Sequence, residues 1–276
     1  MTDSALKIFE AGRLSDAIAA GNAEVKAAPQ DIQRRSLLAE LLCVAGDLER
    51  AERQFDAIAT QDPTTAVRVA ALRQLVRADM ARRQVWTEGR MPEFAGTPPE
   101  HVTLRLEALM HLREGRAEEA GACHARAEEA RPVVAGTHNG VPFEDFRDLD
   151  DLTAGIFEVM TVTGKYFWIP LEQVDEAVFT VPSRPLDSAW RTVQMSVRGG
   201  PEGEVVVPAT YPVLSGELRE ALRLGRATDW IEDRAGFVTG QGLRCFLVGE
   251  ESVSILDLRA LAFTSAVSAQ QDAPAA

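Results

Sequence analysis

The sequence has few of the residues that mark secreted, metal-binding or membrane-spanning proteins. Its three cysteines, Cys43, Cys123 and Cys245, stand far apart and match neither a disulfide framework nor a paired metal-ligand spacing. No apolar run approaches the roughly 18 residues that a membrane helix requires. The first residues lack a basic stretch followed by an apolar one, so we expect no secretory signal. Together these absences predict a cytoplasmic protein with no bound metal or cofactor.

Basic residues are also scarce, and most of the deficit lies in the second half of the chain. The whole sequence has 29 Lys and Arg against 42 Asp and Glu, a net charge of −13. Residues 1–135 carry 18 basic and 21 acidic residues, whereas residues 136–276 carry 11 and 21. A polyanion would be repelled by the second half, which disfavours a nucleic-acid partner. Basic or amphipathic protein segments are the better class of partner.

What the sequence does have is a repeat with a period of 34 residues. The two clear copies share four anchor positions, which are Gly12, Leu14, Ala17 and Pro29 in the first and Gly46, Leu48, Ala51 and Pro63 in the second. A third, degenerate copy contains Gly115, Ala120 and Pro132. This period is typical of tetratricopeptide helix-turn-helix units. Glycine permits the turn between paired helices, alanine lets the two backbones approach closely, and proline ends the second helix.

The apolar pattern predicts helices up to about residue 130 and strands beyond it. Helical spacing covers residues 4–28, 32–58, 64–87, 102–114 and 117–130, while the segment from Gly89 to Pro99 interrupts it. Short β-type runs follow at residues 165–169, 178–181, 193–197, 204–207 and 243–248. Residues 252–263 fit either a last strand or a short helix.

These patterns predict an α+β fold made of two domains. A tetratricopeptide-like, all-α helical repeat domain occupies residues 1–135, and a small mixed α+β domain occupies residues 136–263. The second domain is expected to contain a short-stranded antiparallel sheet or a partial barrel. Residues 264–276, rich in Ala, Ser and Gln, are predicted to be a disordered tail.

One segment, residues 144–151, concentrates acidic side chains around Arg147. Its five carboxylates belong to Glu144, Asp145, Asp148, Asp150 and Asp151. In one interpretation Asp148, Asp150 and Asp151 cap the N-terminus of a helix over residues 152–160, with Arg147 paired locally. In the other they bind a hard cation, which would make the protein a metal-dependent hydrolase.

Other chemistry-bearing patterns are weak. The glycine-rich run at residues 236–242 lacks the Lys-Ser/Thr pair of a phosphate loop, and we interpret it as a β-turn between strands. No nucleophile elbow is present, so the sequence offers no catalytic residue and predicts a protein that is not an enzyme. Three aromatic residues of the second half, Trp168, Tyr211 and Trp230, fit either core and turn packing or surface anchors for a partner.

Several longer strings resemble a known family. Gly-Val-Pro-Phe-Glu-Asp-Phe-Arg-Asp at residues 140–148, Trp-Ile-Pro at 168–170, Pro-Ala-Thr-Tyr-Pro at 208–212 and Leu-Gly-Arg-Ala-Thr-Asp-Trp at 224–230 resemble the ImpE/SciE/TagJ accessory proteins of bacterial type VI secretion systems. The similarity runs in order from about residue 5 to 250. The residues that carry it are Pro142, Phe143, Asp145, Phe146, Arg147, Asp148, Trp168, Pro170, Tyr211, Pro212, Arg226, Thr228 and Trp230.

The resemblance implies a non-enzymatic cytoplasmic adaptor. Such a protein binds the N-terminal helix of the small subunit of the contractile sheath and links the sheath to the AAA+ ATPase that disassembles it. If the helical array supplies the binding groove, its inner face comes from the first helix of the second pair, with Arg34, Leu37, Leu38 and Leu41 as candidates. The alternative is that these leucines form the core between helices. A self-associating scaffold is a further possibility.

Overall fold

The structure is a computed structural model that describes residues 4–214, 216–232 and 236–264. Helices fill the first half of the chain. They are α1 (Ala5–Glu10), α2 (Leu14–Ala27), α3 (Ile32–Ala45), α4 (Leu48–Gln61), α5 (Ala66–Glu88), α6 (Glu100–Arg113) and α7 (Ala117–Ala130), with a short α8 (Glu220–Arg223) in the second half. No helix within these ranges is long and apolar enough to span a membrane.

The repeat prediction is confirmed by three helix pairs, α1–α2, α3–α4 and α6–α7. At the turn of the second pair, Gly46 has φ +78°, a conformation that glycine adopts without steric cost. The Gly46 and Asp47 N–H groups donate to the carbonyls of Cys43 and Leu42, which closes the end of α3. The alanines of the repeat, Ala17, Ala51 and Ala120, have no exposed surface. They lie at the helix contacts, as the period predicts.

Strands make up most of the second half. They are β1 (Gly136–His138), β2 (Val141–Phe143), β3 (Phe146–Asp148), β4 (Ile156–Met160), β5 (Tyr166–Pro170), β6 (Val174–Phe179), β7 (Trp190–Val197), β8 (Glu202–Pro208), β9 (Thr228–Glu232), β10 (Val238–Gly242), β11 (Cys245–Val248), β12 (Glu251–Ser254) and β13 (Ala260–Phe263). The largest sheet is antiparallel and has the order β2-β1-β13-β6-β7-β8-β4-β5. Smaller antiparallel sheets are β12-β11-β3 and β10-β9. The predicted α+β class is confirmed.

Two local predictions in this half are wrong. Residues 152–160 do not form a helix, because a turn leads into strand β4, whose five residues are all buried. A strand covered on both faces loses the period-two alternation that would have revealed it. The glycine-rich run is strand β10, paired with β9, and not a turn. Residues 252–263 contain the end of β12 and the whole of β13, which decides for strands over a helix.

The segment after α5 seals one edge of the large sheet. The Glu93 N–H donates to the Tyr166 carbonyl, and the Trp168 N–H donates to the Glu93 carbonyl. Since β5 is the outermost strand on this side, the proline-containing segment 89–99 pairs with backbone groups that an open edge would expose.

One of the three buried apolar clusters among the described residues spans the helices and the large sheet. A single cluster of buried residues includes Phe55 and Trp86 of the helices together with Trp168 and Trp190 of the sheet. The helical part ends with α7 at Ala130, and β1 begins at Gly136. The division into separate domains at residue 135 stays a prediction, and the proposed tail, apart from residue 264, lies outside the described residues.

Candidate functional site

A buried ion pair joins the helical array to the large sheet. Glu158 of β4 is fully buried and accepts from Arg82 of α5, with its Oε1 2.7 Å from Nε and its Oε2 3.1 Å from Nη2. Oε1 also accepts from Trp86 Nε1 at 3.0 Å, and Oε2 accepts from Arg244. Burial by itself raises the pKa of Glu158, but the charges of Arg82 and Arg244 outweigh it and lower that pKa from 4.5 to about 2.

Arg244 connects this ion pair to the sequence strings at residues 140–148 and 208–212. Its second amino group lies 2.5 Å from Oδ2 of Asp148, which is also fully buried. Oδ1 of Asp148 accepts from the Tyr211 hydroxyl at 2.8 Å and from the Asp150 N–H at 2.9 Å. Burial and the neighbouring charge of Asp148 raise the pKa of Asp150 from 3.8 to about 7. Asp148 and Tyr211 are therefore parts of an internal ionic network.

The remaining acidic residues of the 144–151 segment engage other arginines. Asp145 forms a two-point pair with Arg131, the residue that follows α7, at 3.0 and 2.6 Å. Burial raises the pKa of Asp145, but the hydrogen bonds and charge of Arg131 together with the backbone N–H groups of Val134 and Phe146 outweigh it, so the net shift of the pKa is downward. Asp151 accepts from Arg147 at 2.6 Å, which confirms the local pairing of Arg147. Arg147 also donates to Glu128 of α7 at 3.0 Å, so the segment joins α7 to the sheet half.

This geometry does not assemble a cation site from the acidic segment. Asp145, Asp148 and Asp151 bind three different arginines, so their oxygens do not converge on one point. Within residues 4–214, 216–232 and 236–264, no group of three or more His, Cys, Asp or Glu side chains is arranged to hold a metal. The capping interpretation fails too, because strand β4 takes the place of the predicted helix.

The string at residues 224–230 contacts the end of α1 through Arg226. Arg226 donates to the carbonyls of Phe9 and Glu10 at 2.8 and 2.9 Å, which satisfies acceptors at the end of α1. The guanidinium also lies over the Phe9 ring, 5.5 Å from its centroid. Thr228 donates to the Leu243 carbonyl at 2.7 Å.

Most of the aromatic and proline motif residues pack inside the sheet domain. Phe146 stacks on Phe246 with 5.1 Å between centroids, and Phe143 lies 5.9 Å from Phe146. Pro170 is buried opposite Ile156, and Pro142 faces Thr137 on the exposed end strand.

The three singled-out aromatics differ in exposure. Trp168 and Tyr211 are 0% and 2% exposed, so they pack inside the fold. The Trp168 indole N–H donates to the Tyr166 hydroxyl at 2.7 Å. Trp230 is 43% exposed, although its ring lies 5.7 Å from that of Tyr211, and it alone of the three has the accessibility that a surface anchor needs.

The four groove candidates on α3 separate into two kinds. Leu38 and Leu41 are 1% and 0% exposed, and they form part of the core between helices. This corrects the expectation that they face a groove: α2 and α4 both pack on α3 and cover that side. Arg34 and Leu37 retain accessible surface and line a groove of about 660 Å³. Its other walls are Leu6, Phe9 and Glu10 of α1, Gln33 of α3, and the segment Pro182, Ser183, Arg184 and Pro185.

Sequence reasoning missed the ionic network and two walls of the groove. The sequence does contain a signal for Glu158, because it is the one charged residue in the apolar run from Ile156 to Met160. A lone charge in a buried strand requires a buried partner, but nothing local identified Arg82, 76 residues earlier. The contribution of Pro182 to Pro185 likewise depends on tertiary structure.

The fold and the buried ion pairs define the class of this protein. It consists of a tetratricopeptide-like helical array that buried ion pairs join to an antiparallel β half. The family model described as ImpE protein matches residues 140–262. The type VI secretion system accessory component TagJ of Pseudomonas aeruginosa is 30% identical over 257 residues, covering 93% of this chain and 90% of TagJ. The crystal structure of protein VPA1032 from Vibrio parahaemolyticus superposes with a TM-score of 0.87 at 30% identity, covering 95% of this chain and 98% of that one. The chain belongs to the ImpE/TagJ family of type VI secretion accessory proteins.

Proposed function

We propose that this protein is a non-enzymatic adaptor of a type VI secretion system. It binds the N-terminal helix of the small subunit of the contractile sheath, and in doing so links the sheath to its disassembly ATPase. Family membership supports the accessory role. The observation that carries the binding step is the groove lined by Arg34 and Leu37, because it offers an apolar floor between two helices of the array.

The chemistry of the groove suits an amphipathic helix. Leu6 is 39% exposed, and Leu37 and the two prolines add apolar surface beside it. Charged groups of both signs, Glu10, Arg34 and Arg184, stand around this floor. A helix that lays its apolar face in such a groove removes apolar area from water, which contributes roughly 25 cal/mol per Å² before the entropic costs of association are subtracted.

Absence of catalysis is part of the proposal. Four of the five carboxylates that suggested a metal-dependent hydrolase, those of Asp145, Asp148, Asp150 and Asp151, accept hydrogen bonds from an arginine or from backbone N–H groups. Such groups serve the joint between helices and sheet. A cytoplasmic location stays a prediction.

Calorimetric titration tests the binding step. The full-length protein is titrated with a peptide spanning the N-terminal helix of the cognate sheath small subunit, and in parallel with a scrambled peptide of equal charge. The proposal expects micromolar or tighter binding of the native peptide alone. Equal binding of both peptides, or binding of neither by a folded protein, contradicts it.

A co-retention assay tests the link to the ATPase. Immobilised sheath small subunit is incubated with the purified ATPase in the presence and absence of this protein. An adaptor increases the amount of ATPase retained. Retention that is unchanged by the protein refutes the linking role while leaving helix binding intact.

A further inference from the structure

A second cavity lies at the opposite end of α3 from the groove. Its volume is about 630 Å³, and it opens where the end of α3 and the second half of α5 meet the sheet domain. Different residues line the two spaces. The four side chains that matter here are Asp79, Trp86, Trp190 and Tyr211, none of which is more than 6% exposed.

Asp79 lines this cavity with an incompletely paired carboxylate. Its Oδ2 lies 3.4 Å from Trp190 Nε1, a long distance for an N–H···O bond. The nearest cation is Arg83, whose Nη2 is 4.0 Å away and whose Nη1 donates to the Gly46 carbonyl instead. Among the residues that the structure describes, none donates a hydrogen bond to Oδ1. A carboxylate buried to this extent normally has its partners within reach.

The neighbouring cation on the same helix is already occupied. Arg82 gives Nε and Nη2 to Glu158, and Nη2 also donates to the Thr210 carbonyl. Arg82 and Arg244 together balance the charges of Glu158 and Asp148. Within the part of the chain that the structure describes, no nitrogen of Arg82 or Arg244 lies within 4.0 Å of an Asp79 oxygen, so the ionic network does not pair with this carboxylate.

The walls of the cavity add aromatic surface around this carboxylate. Trp86 and Trp190 supply indole rings, whose faces attract cations, whereas the Tyr211 ring already has the Arg244 guanidinium 5.0 Å from its centroid. Two exposed carboxylates, Glu88 and Glu217, also line the cavity, as does the partly buried Arg223. A carboxylate beside indole rings in a cavity of this size is a recognition pattern for alkylguanidinium and alkylammonium groups.

We propose that this cavity binds an alkylguanidinium or alkylammonium group, with Asp79 as its counter-ion. The group is either a free amine or a basic side chain presented by a protein partner. Arg83 competes for the same carboxylate from the cavity rim. This site is independent of the helix groove, so each proposal survives the failure of the other.

Two probes distinguish the two sources of the cation. Agmatine represents the free amine, and an acetylated, amidated Ala-Arg-Ala peptide represents the side chain, with the citrulline peptide as its neutral match. Calorimetry with the full-length protein should show binding of at least one cationic probe and none of the citrulline peptide. Agmatine binding alone assigns a small ligand, whereas peptide binding alone assigns a partner side chain. No binding of either probe at millimolar concentration overturns the proposal.

Two substitutions with opposite expected effects test the role of Asp79. Asp79→Asn should weaken binding at least about tenfold, because it removes the charge while keeping the shape and an acceptor for Trp190. Arg83→Gln should tighten binding several-fold by removing the competing cation. Glu49→Gln, an exposed change on α4, is the matched control and should have no effect. Unchanged affinity in both Asp79→Asn and Arg83→Gln contradicts the assignment, and the second variant decides alone if the first fails to fold.

Discussion

Arg82 of helix α5 and Glu158 of strand β4 form a buried two-point ion pair, with 2.7 Å between Nε and Oε1. The two residues are 76 positions apart in the chain and belong to the helical and sheet halves. Arg244 also binds the Glu158 carboxylate, and it pairs with Asp148 as well. One ionic network therefore joins α5 of the repeat array to the segment that contains Asp148. The groove has walls from both halves of the chain, α1 and α3 on one side and residues 182–185 on the other. A network that holds the two halves together therefore also positions the walls of the groove.

Replacing Glu158 with Gln should destabilise the protein strongly. The amide leaves the buried cations Arg82 and Arg244 without full compensation, and breaking a buried pair in this way costs about 3–5 kcal/mol. Urea unfolding at pH 7 measures the effect. Glu176→Gln, an exposed substitution in the same sheet, is the control and should stay within about 0.5 kcal/mol of the parent. A similarly small effect of Glu158→Gln would show that the network does not hold the halves together.

Asp150 should make the protein less stable as the pH rises towards neutrality. Its pKa in the folded protein is about 7, against 3.8 ordinarily, so the folded state binds the proton more tightly than the unfolded state. The stability that this group contributes is complete below about pH 3.8 and is lost as the pH rises through 7. Each pH unit in that window changes the free energy of unfolding by up to about 1.4 kcal/mol.

The Asp150→Asn variant isolates this contribution. Its free energy of unfolding, measured by urea denaturation from pH 5 to 8, should fall less steeply than that of the parent. The loss of one acceptor lowers the overall stability of the variant, so the comparison concerns the slope and not the absolute value. Parallel pH profiles of the two proteins would contradict the raised pKa.

Removing the Arg226 side chain should loosen helix α1. Arg226→Ala deletes two hydrogen bonds to the carbonyls of Phe9 and Glu10 and the contact with the Phe9 ring, at a cost of about 1–3 kcal/mol. Amide hydrogen exchange should accelerate across α1 while α6 is unchanged. Arg219→Ala removes an exposed arginine from the neighbouring segment and serves as the control. Unaltered exchange in α1 would argue against this role of Arg226.

Glycine at position 240 should be required for packing. A Cβ there would lie 2.3 Å from the Tyr211 ring, so Gly240→Ala forces β10 and Tyr211 apart, and overpacking of this kind costs about 1–3 kcal/mol. Gly203→Ala on β8 is the matched control, because no atom of the described structure lies within 4 Å of its added Cβ. Thermal unfolding of the two variants should separate them clearly, and equal melting temperatures would contradict the close approach.

The helical half could be predicted in detail from the sequence because its determinants are local. A glycine turn, a small residue at the crossing and a proline at the end recur at positions such as Gly46, Ala51 and Pro63, and each acts within a few residues. The candidate groove could be predicted only in part. Helical spacing places Leu37 and Leu41 on one apolar stripe, but it does not say how much of that stripe the adjacent helices cover.

In the sheet half, strands whose side chains are all buried could not be predicted from the sequence. Strand β4 shows no alternation because all five of its residues are buried, and the aspartates before it imitate a helix cap. The pairing of Arg82 with Glu158 depends on contacts between distant segments, which no local pattern encodes.

The role of the groove as the binding site is tested by titrating the sheath-helix peptide into the parent protein and into the Leu37→Asp variant. The variant places a charge on the apolar floor of the groove, and Val67→Asp, at a position 87% exposed on α5, is the matched control. We predict that Leu37→Asp weakens binding by about tenfold or more, corresponding to at least about 1.4 kcal/mol, while Val67→Asp binds like the parent. Equal affinities of all three folded proteins for the peptide would contradict the groove as the binding site.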